Sequence, residues 1–577
     1  MDQDFQEQIY FGGPIYTMES NQKVEAIAVR HGKIVTTGSK ANCLSALGHA
    51  PKEIHLEGRT LLPGFIDTHL HPFLMMYFAL NLDLKDVTTL DKLAQALKAK
   101  ARSVGPDNWV VGLQFDEQAL SPPELPPLSF LDEVCPNNPL VILMHNGHMA
   151  IGNSLAMKKA QLTPETKAPA GGEIDRTLQG KLRGVFRETA MHLLTNAIPR
   201  PAMKDIEEGS KQVFQTLLSY GITSAGVIIQ AGAEGPAGSS GSLEVPLLLG
   251  CSDFIPLNLN VYVVSNHPKQ VLALRKALSQ RDPNVDLNIA GLKIFADGTF
   301  GSCTACMIQP FSDAEDKKGY MTLGEDEIYK RMVAAHNAGL QIAVHAIGDR
   351  GNQKCIALYK KLLEEYPRQN HRHRIEHASL LDGKMIQEIK QLGLVISTQP
   401  LFVRSEKAWL HKRLGHERSQ YVYPFKDLFD HQVPTAGASD APIESANVME
   451  AIQCSITRDG FETHQCLSVQ EAIEMFTTKA AYIQFEDHLK GSIAPGRRAD
   501  FTILTEDPWQ TPVEEIGQIL VDETIIAGVS RYRRHQPEET PKGKLQWGPF
   551  LGKYFNYLVA RALPSPLLQS KQPRNNS

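Results

Sequence analysis

Long apolar runs are missing from this sequence. No stretch approaches the roughly 20 consecutive apolar residues that span a bilayer, so neither a membrane-crossing helix nor a membrane partner is expected. Met1 to Tyr10 is polar and acidic and lacks the basic start and apolar core of a secretory signal, which points to a cytoplasmic location. A basic excess is also missing. The formal net charge is -5, the isoelectric point is near 6.5, and no block of like charge occurs, which disfavours a nucleic-acid partner. Cysteine is sparse: 8 in 577 residues, scattered from Cys43 to Cys466, do not make a disulfide framework. Cys303 and Cys306 form a Cys-x-x-Cys without a second pair to complete a zinc site, so free thiols are expected. No internal repeat is visible.

What is present is a chain of 63.9 kDa, able to bury a large core and too long for one ordinary small domain. From Ile9 to about Glu57 it reads as short strands, and a similar texture returns in Asp500 to Leu504 and Ile519 to Tyr532. Both ends are therefore expected to build one small β-sandwich, residues 1–58 with 486–540, around an inserted middle. That middle, residues 59–485, alternates strand-like and helix-like segments. Its candidate strands are Leu61 to Thr68, Thr223 to Ile228, Leu259 to Val264, Gly291 to Ala296, Gln341 to Ala346, His373 to Ala378, Leu394 to Thr398 and Pro434 to Ala438. Eight such strands with intervening helices predict an α/β fold, a (β/α)8 TIM barrel. Residues 80–215 break the repeat and read as an insertion after the first strand, with strands at Asn108 to Leu113 and Leu140 to Met144 and a helix over Lys181 to Leu194. An insertion there would lie over the barrel mouth. Gly232 to Ser242 reads as a flexible loop, and residues 541–577 as a weakly amphipathic appendix.

The chain is organised around Leu61-Leu62-Pro63-Gly64-Phe65-Ile66-Asp67-Thr68-His69-Leu70-His71-Pro72. In an extended strand residues i and i+2 share a face, so His69 and His71 can reach one metal ion. By itself a His-x-His is more often a strand end with two histidines satisfied by local hydrogen bonds. Downstream, however, His345, His377 and Asp440 each end an apolar segment, and Lys293 lies inside one. Together the six are ligand types in an order that suits a two-metal site, with imidazoles fit for zinc and a carboxylate able to take a proton from water. Lysine is the odd member, because an ammonium repels a dication. It belongs there only as a neutral amine or as a carbamate formed with carbon dioxide, and otherwise it is a strand lysine that snorkels or pairs with Asp297.

At these residues the chain resembles the amidohydrolase superfamily, and within it the family 3 branch that includes N-substituted formamide deformylase. The matching segments are Leu62 to His71, Leu292-Lys293-Ile294-Phe295-Ala296-Asp297-Gly298-Thr299-Phe300-Gly301-Ser302, Val344-His345-Ala346-Ile347-Gly348-Asp349, Arg374-Ile375-Glu376-His377 and Ala438-Ser439-Asp440, with Gly491 to Pro508 resembling a returning sandwich strand. The resemblance runs from about residue 8 to 535 and is specific for fold and metal chemistry, weak for substrate.

The resemblance implies a metal-dependent hydrolase holding one or two divalent ions, zinc being expected. His69 and His71 would hold one ion, His345 and His377 the other, with Lys293 bridging as a carbamate and Asp440 serving as ligand and general base. It also implies attack of activated water on a non-peptide carbon-nitrogen bond, a linear amide or N-formyl amide. Deamination and cyclic-amide opening on the same fold stay open, as does a catalytically silent scaffold. His148, in Met144-His145-Asn146-Gly147-His148, is a substrate-binding candidate; Asn153 and Glu188 read as caps or surface pairs, and Asp349 with Arg350 as a turn with a local ion pair. Cys303 departs from the family pattern, in which an arginine is common after Gly301-Ser302. A homodimer is an open option for such a barrel.

Overall fold

The computed structural model describes residues 7–19, 23–48, 50–144, 149–169, 172–199, 203–232, 244–251, 255–278 and 287–535. The expected loop at Gly232 to Ser242 falls almost wholly outside them, and the appendix from 541 lies beyond them. The middle of the chain forms eight strands: β1 (Phe65–Leu70), β2 (Ile222–Gln230), β3 (Asn258–Val264), β4 (Leu287–Phe295), β5 (Gln341–Ala346), β6 (Arg374–His377), β7 (Val395–Thr398) and β8 (Thr435–Gly437). Each is parallel to the next in order. The two edges meet where the Asp440 amide donates to His69 O and the His71 amide to Ala441 O, both at 2.8 Å, so the barrel is nearly closed. Strands β1, β5, β6 and β7 are buried at every residue. A strand covered on both faces needs apolar side chains outward as well as inward, as in Ile342-Ala343-Val344 of β5 and Val395-Ile396 of β7, whereas β6 carries Arg374, Glu376 and His377 and buries them by pairing them.

Helices cover the outer face. Glu325–Asn337 buries Ile328, Met332, Ala335 and His336, one face of a 3.6-residue period, and Gly383–Leu392 buries Met385, Ile386 and Ile389 between the Asp382 cap and Gly393 at φ 66°. The first strand differs from expectation. The run from Leu61 to Thr68 divides at Gly64 into Thr60–Pro63, antiparallel to Phe501–Leu504, and β1 of the barrel. Gly64 makes the crossing because a Cβ there would lie 2.4 Å from the Thr223 side chain, and its amide donates to Asp500 O at 2.8 Å.

Both ends of the chain join in one eight-stranded mixed sheet. Val529–Arg533, Val521–Ile526 and Phe501–Leu504 from the carboxyl side continue through Thr60–Pro63 to Gln8–Tyr16, Lys23–Arg30 and Lys33–Gly38, with Lys52–His55 also pairing to Gln8–Tyr16. Tyr10, Ile15, Ile27, Leu61, Phe501 and Ile525 fill its core.

Residues Leu74–Val213 form a second compact unit with its own six-stranded sheet. Val110–Phe115 and Leu140–Met144 are neighbouring interior strands of it, packed against Leu93 and Leu97 of the helix Leu90–Val104. The helix expected over Lys181 to Leu194 is instead mostly strand: Leu182–Glu188 lies antiparallel to Gly172–Arg176 and Met149–Gly152. Gly184 sits at φ +79°, outside helical space, where a Cβ would lie 2.4 Å from Gly152 O. Arg187 reaches across to Asp175 through two 3.0 Å hydrogen bonds, a cross-strand pair no helix would make. Asn153 takes the capping role: its Oδ1 accepts from the Ala156 and Leu140 amides at 2.9 Å. Among the described residues no helix is long and apolar enough to cross a membrane.

Candidate metal centre

The strands deliver their polar residues to one end of the barrel. His69 lies near the end of β1 and His71 just beyond it, Lys293 in β4, His345 in β5, His377 at the last position of β6 and Asp440 in the turn after β8. These are the carboxyl ends of parallel strands, where barrel loops converge on a site.

Donor atoms of His69, His377 and Asp440, all three buried, lie within 4.8 Å of one another. Asp440 Oδ1 is 3.4 Å from His69 Nε2 and 2.9 Å from His71 Nε2. The His377 ring is centred 5.2 Å from that of His69 and 4.5 Å from that of His345, which brings five of the six residues into one contiguous group. Lys293, the sixth, is buried beside them, and its Nζ has no hydrogen-bond partner among the described residues. The alternative partner Asp297 is fully engaged elsewhere: it accepts amides from Cys306 and Gly348 at 2.9 Å and Ile347 at 3.0 Å, tying the loop after β4 to the loop after β5.

The buried imidazoles are neutral donors here and the Asp440 carboxylate is ionised. Burial holds His69 and His345 far below the ordinary imidazole range and His377 down at about 3, so all three are neutral at pH 7. Burial also pushes the Lys293 amine down to about 8. Although burial works the other way at Asp440, the imidazoles of His69 and His71 hold its carboxyl below the usual carboxylate range. Neutral imidazoles around one carboxylate, with a buried amine that has no hydrogen-bond partner among the described residues, are a donor set that fits a divalent transition metal.

Neighbours fix which imidazole nitrogen is available. His69 Nδ1 donates to the Glu376 carboxylate and His377 Nδ1 to Gln399 Oε1 at 2.8 Å, leaving Nε2 of each. His345 engages Nε2 with Gly298 O at 3.1 Å, leaving Nδ1. Beneath them Asp67, pushed up to about 6 by burial, accepts amides from His69 and Ser439 and so clamps the end of β1 to the end of β8. Two site residues sit in left-handed backbone, His377 at φ 68° and Asp440 at φ 59°. In regular β6 the adjacent Glu376 and His377 would face opposite sides, yet both lie against His69. The left-handed turn at His377 brings its ring back to the site, at the cost of local strain.

The sequence pattern gave no role to Glu376, Arg374, Gln399 or Asp67. The visible signal was Arg374 and Glu376 two residues apart in a strand buried at every position, two charges on one face that burial must pair. Asp349 holds a turn, accepting the amides of Ile308 and Arg350 at 2.8 Å; no ion pair joins it to the Arg350 side chain among the described residues. Cys303 and Cys306 are free, and Arg413 donates to Phe300 O, Gly301 O and Cys303 Sγ, so a guanidinium does stand over this loop, supplied by the helix Pro400–Ser419. His148 lies outside the described residues, as does His145; the Glu188 side chain is not described either.

Known proteins resemble this chain over most of its length. The YtcJ protein of Bacillus subtilis (strain 168) is 29% identical over 541 residues, covering 91% of this chain and 99% of its own. The N-substituted formamide deformylase of Arthrobacter pascens is 25% identical, covering 89% and 96%. The crystal structure of an uncharacterized metal-dependent hydrolase from Pyrococcus furiosus superposes with a TM-score of 0.71 at 25% identity, over 87% of this chain and 100% of that one. The amidohydrolase family pattern matches residues 52–532, from the terminal sheet through every strand of the barrel and back, and the chain belongs to the amidohydrolase family, in its family 3 branch.

Proposed function

We propose that this protein is a metal-dependent hydrolase of a non-peptide carbon-nitrogen bond, with a linear amide or N-formyl amide as substrate. The observation that carries this reading is the buried group of His69, His377 and Asp440 beside the unpartnered Lys293 amine. The similarity to an N-substituted formamide deformylase over most of both chains supports the choice of bond. A bound divalent cation, zinc by the donor chemistry, would polarise the scissile carbonyl and lower the pKa of the attacking water from about 15.7 toward 7. His69, His71 and His377 would hold it through imidazole nitrogen and His345 would serve a second ion.

The remaining chemistry falls to the chain's own groups. Asp440, kept ionised by the adjacent imidazoles, accepts the proton of the attacking water. Water oxygen bonds to the carbonyl carbon, and Asp440 returns the proton to the nitrogen as the carbon-nitrogen bond breaks, giving a carboxylic acid and an amine. Lys293, with its amine neutral in part near pH 8, adds to carbon dioxide and loses a proton, which turns an ill-suited cation into an anionic ligand. The test is metal content of protein purified without chelator, followed by turnover of N-formyl and N-acyl amines. About one or two ions per chain with amine release is the expected result. Release of ammonia from an amidine or aminopyrimidine substrate in place of amide cleavage would move the assignment to a deaminase, and absence of metal under all conditions would end the hydrolase reading.

A further inference from the structure

Below the site, inside the barrel, lies an ion pair that ligand chemistry alone does not require. Arg374 and Glu376 are both completely buried. Arg374 Nε stands 2.7 Å from Glu376 Oε1, and Nη2 donates to Glu376 Oε2 at 3.0 Å and to Thr68 O at 2.8 Å. Its guanidinium carbon lies 4.4 Å from the centroid of the Tyr262 ring, whose hydroxyl donates to Gln341 Oε1 at 2.6 Å. Taking two such charges out of water is costly, and an apolar pair of similar volume would commonly serve packing as well or better.

What the pair does touch is His69. Glu376 Oε2, the oxygen also held by Arg374 Nη2, accepts the Nδ1 proton of His69, and Arg374 grips the carbonyl of Thr68, the residue before it. Side chain and backbone of one imidazole are thus fixed from a single guanidinium-carboxylate unit. The His377 Nδ1, by contrast, donates to the neutral amide oxygen of Gln399. We infer that Arg374 and Glu376 are a positioning pair for His69, with Glu376 holding the ring proton on Nδ1 and Nε2 toward the ion, and Arg374 keeping the carboxylate and the end of β1 in place. This rests on the metal-site reading above. Carboxylate partners of this kind raise ligand basicity, and their loss typically lowers metal affinity about 10–100-fold.

The experiment compares wild type, Glu376→Asp, Glu376→Gln and the double variant Arg374→Met with Glu376→Gln, which removes both charges together. Zinc Kd is read by chelator competition, alongside melting temperature with and without zinc. The expected result is a folded double variant whose metal-free melting temperature stays near wild type while zinc Kd rises about 10–100-fold and the zinc-induced rise in melting temperature shrinks. Glu376→Asp, which keeps the carboxylate, recovers part of the affinity lost in Glu376→Gln. Unchanged Kd in a folded variant, or equal Kd for Asp and Gln, overturns the inference and leaves a packing role; the Asp and Gln comparison decides the matter if the double variant does not fold. Wild type that binds no zinc would instead retire the metal site itself, a separate outcome.

Discussion

Two His-x-His pairs occur in this barrel, and they behave in opposite ways. His69 and His71 end β1 at the carboxyl face, where both nitrogens nearest the centre look onto the single carboxylate of Asp440. His371 and His373 precede β6 at the amino face, and their nitrogens are consumed internally. His371 Nδ1 accepts the His373 amide at 3.0 Å and Nε2 donates to Leu392 O at 2.9 Å, while His373 Nδ1 accepts the Ile342 amide at 3.1 Å and Nε2 meets His336 Nδ1 at 2.9 Å. Spacing is the same in both. The lesson is that a His-x-His becomes a ligand pair through what faces it: one pair meets an anion and an unpartnered amine, the other meets backbone that satisfies it.

The largest effect that would break the comparison is at Asp440. Asp440→Asn should retain fold and metal while turnover falls about 10²–10⁴-fold, measured as kcat beside metal content; full activity would remove the carboxylate from the chemistry. Next comes a matched pair of deletions. His377→Ala should lower bound metal per chain, whereas His373→Ala should leave it unchanged, both read by elemental analysis, and metal loss in His373→Ala would collapse the distinction between the two faces. His373→Ala should instead cost about 1–3 kcal/mol in urea unfolding of the metal-free protein, because the buried Ile342 amide loses its acceptor.

The smallest effect is in pH. Burial holds His371 down at about 4 in the folded chain against an ordinary 6.5, so on acidification the unfolded chain takes up the proton first. Its contribution to stability is whole above pH 6.5 and is lost as pH falls from there toward 4. Melting temperature of metal-free protein should therefore drop across that interval, and less steeply in His371→Asn; identical slopes would remove His371 from the acid response.

The sequence made most of the barrel legible because strands buried on both faces carry short apolar stretches such as Ile342-Ala343-Val344, and the helices between them carry a 3.6-residue stripe. It was less informative in the insertion. Leu182 to Glu188 has residues tolerable to either a helix or a strand, and the decision came from Gly184 close against Gly152 and from Arg187 meeting Asp175, contacts with partners distant in sequence. Likewise the division of Leu61 to Thr68 between two sheets depended on how near Thr223 passes to Gly64.

At the site, sequence by itself determined the donor types, their order and their place at strand ends, because ligand chemistry restricts residue identity and parallel strands all deliver their carboxyl ends to one face. Only tertiary structure decided which donors converge. It turned His377 back to the site through a left-handed backbone, withheld Asp297 from Lys293 by surrounding it with amides, and placed Arg374 and Glu376 behind His69. Those choices depend on burial and on the full set of competing hydrogen-bond partners, quantities that exist only once the chain has folded.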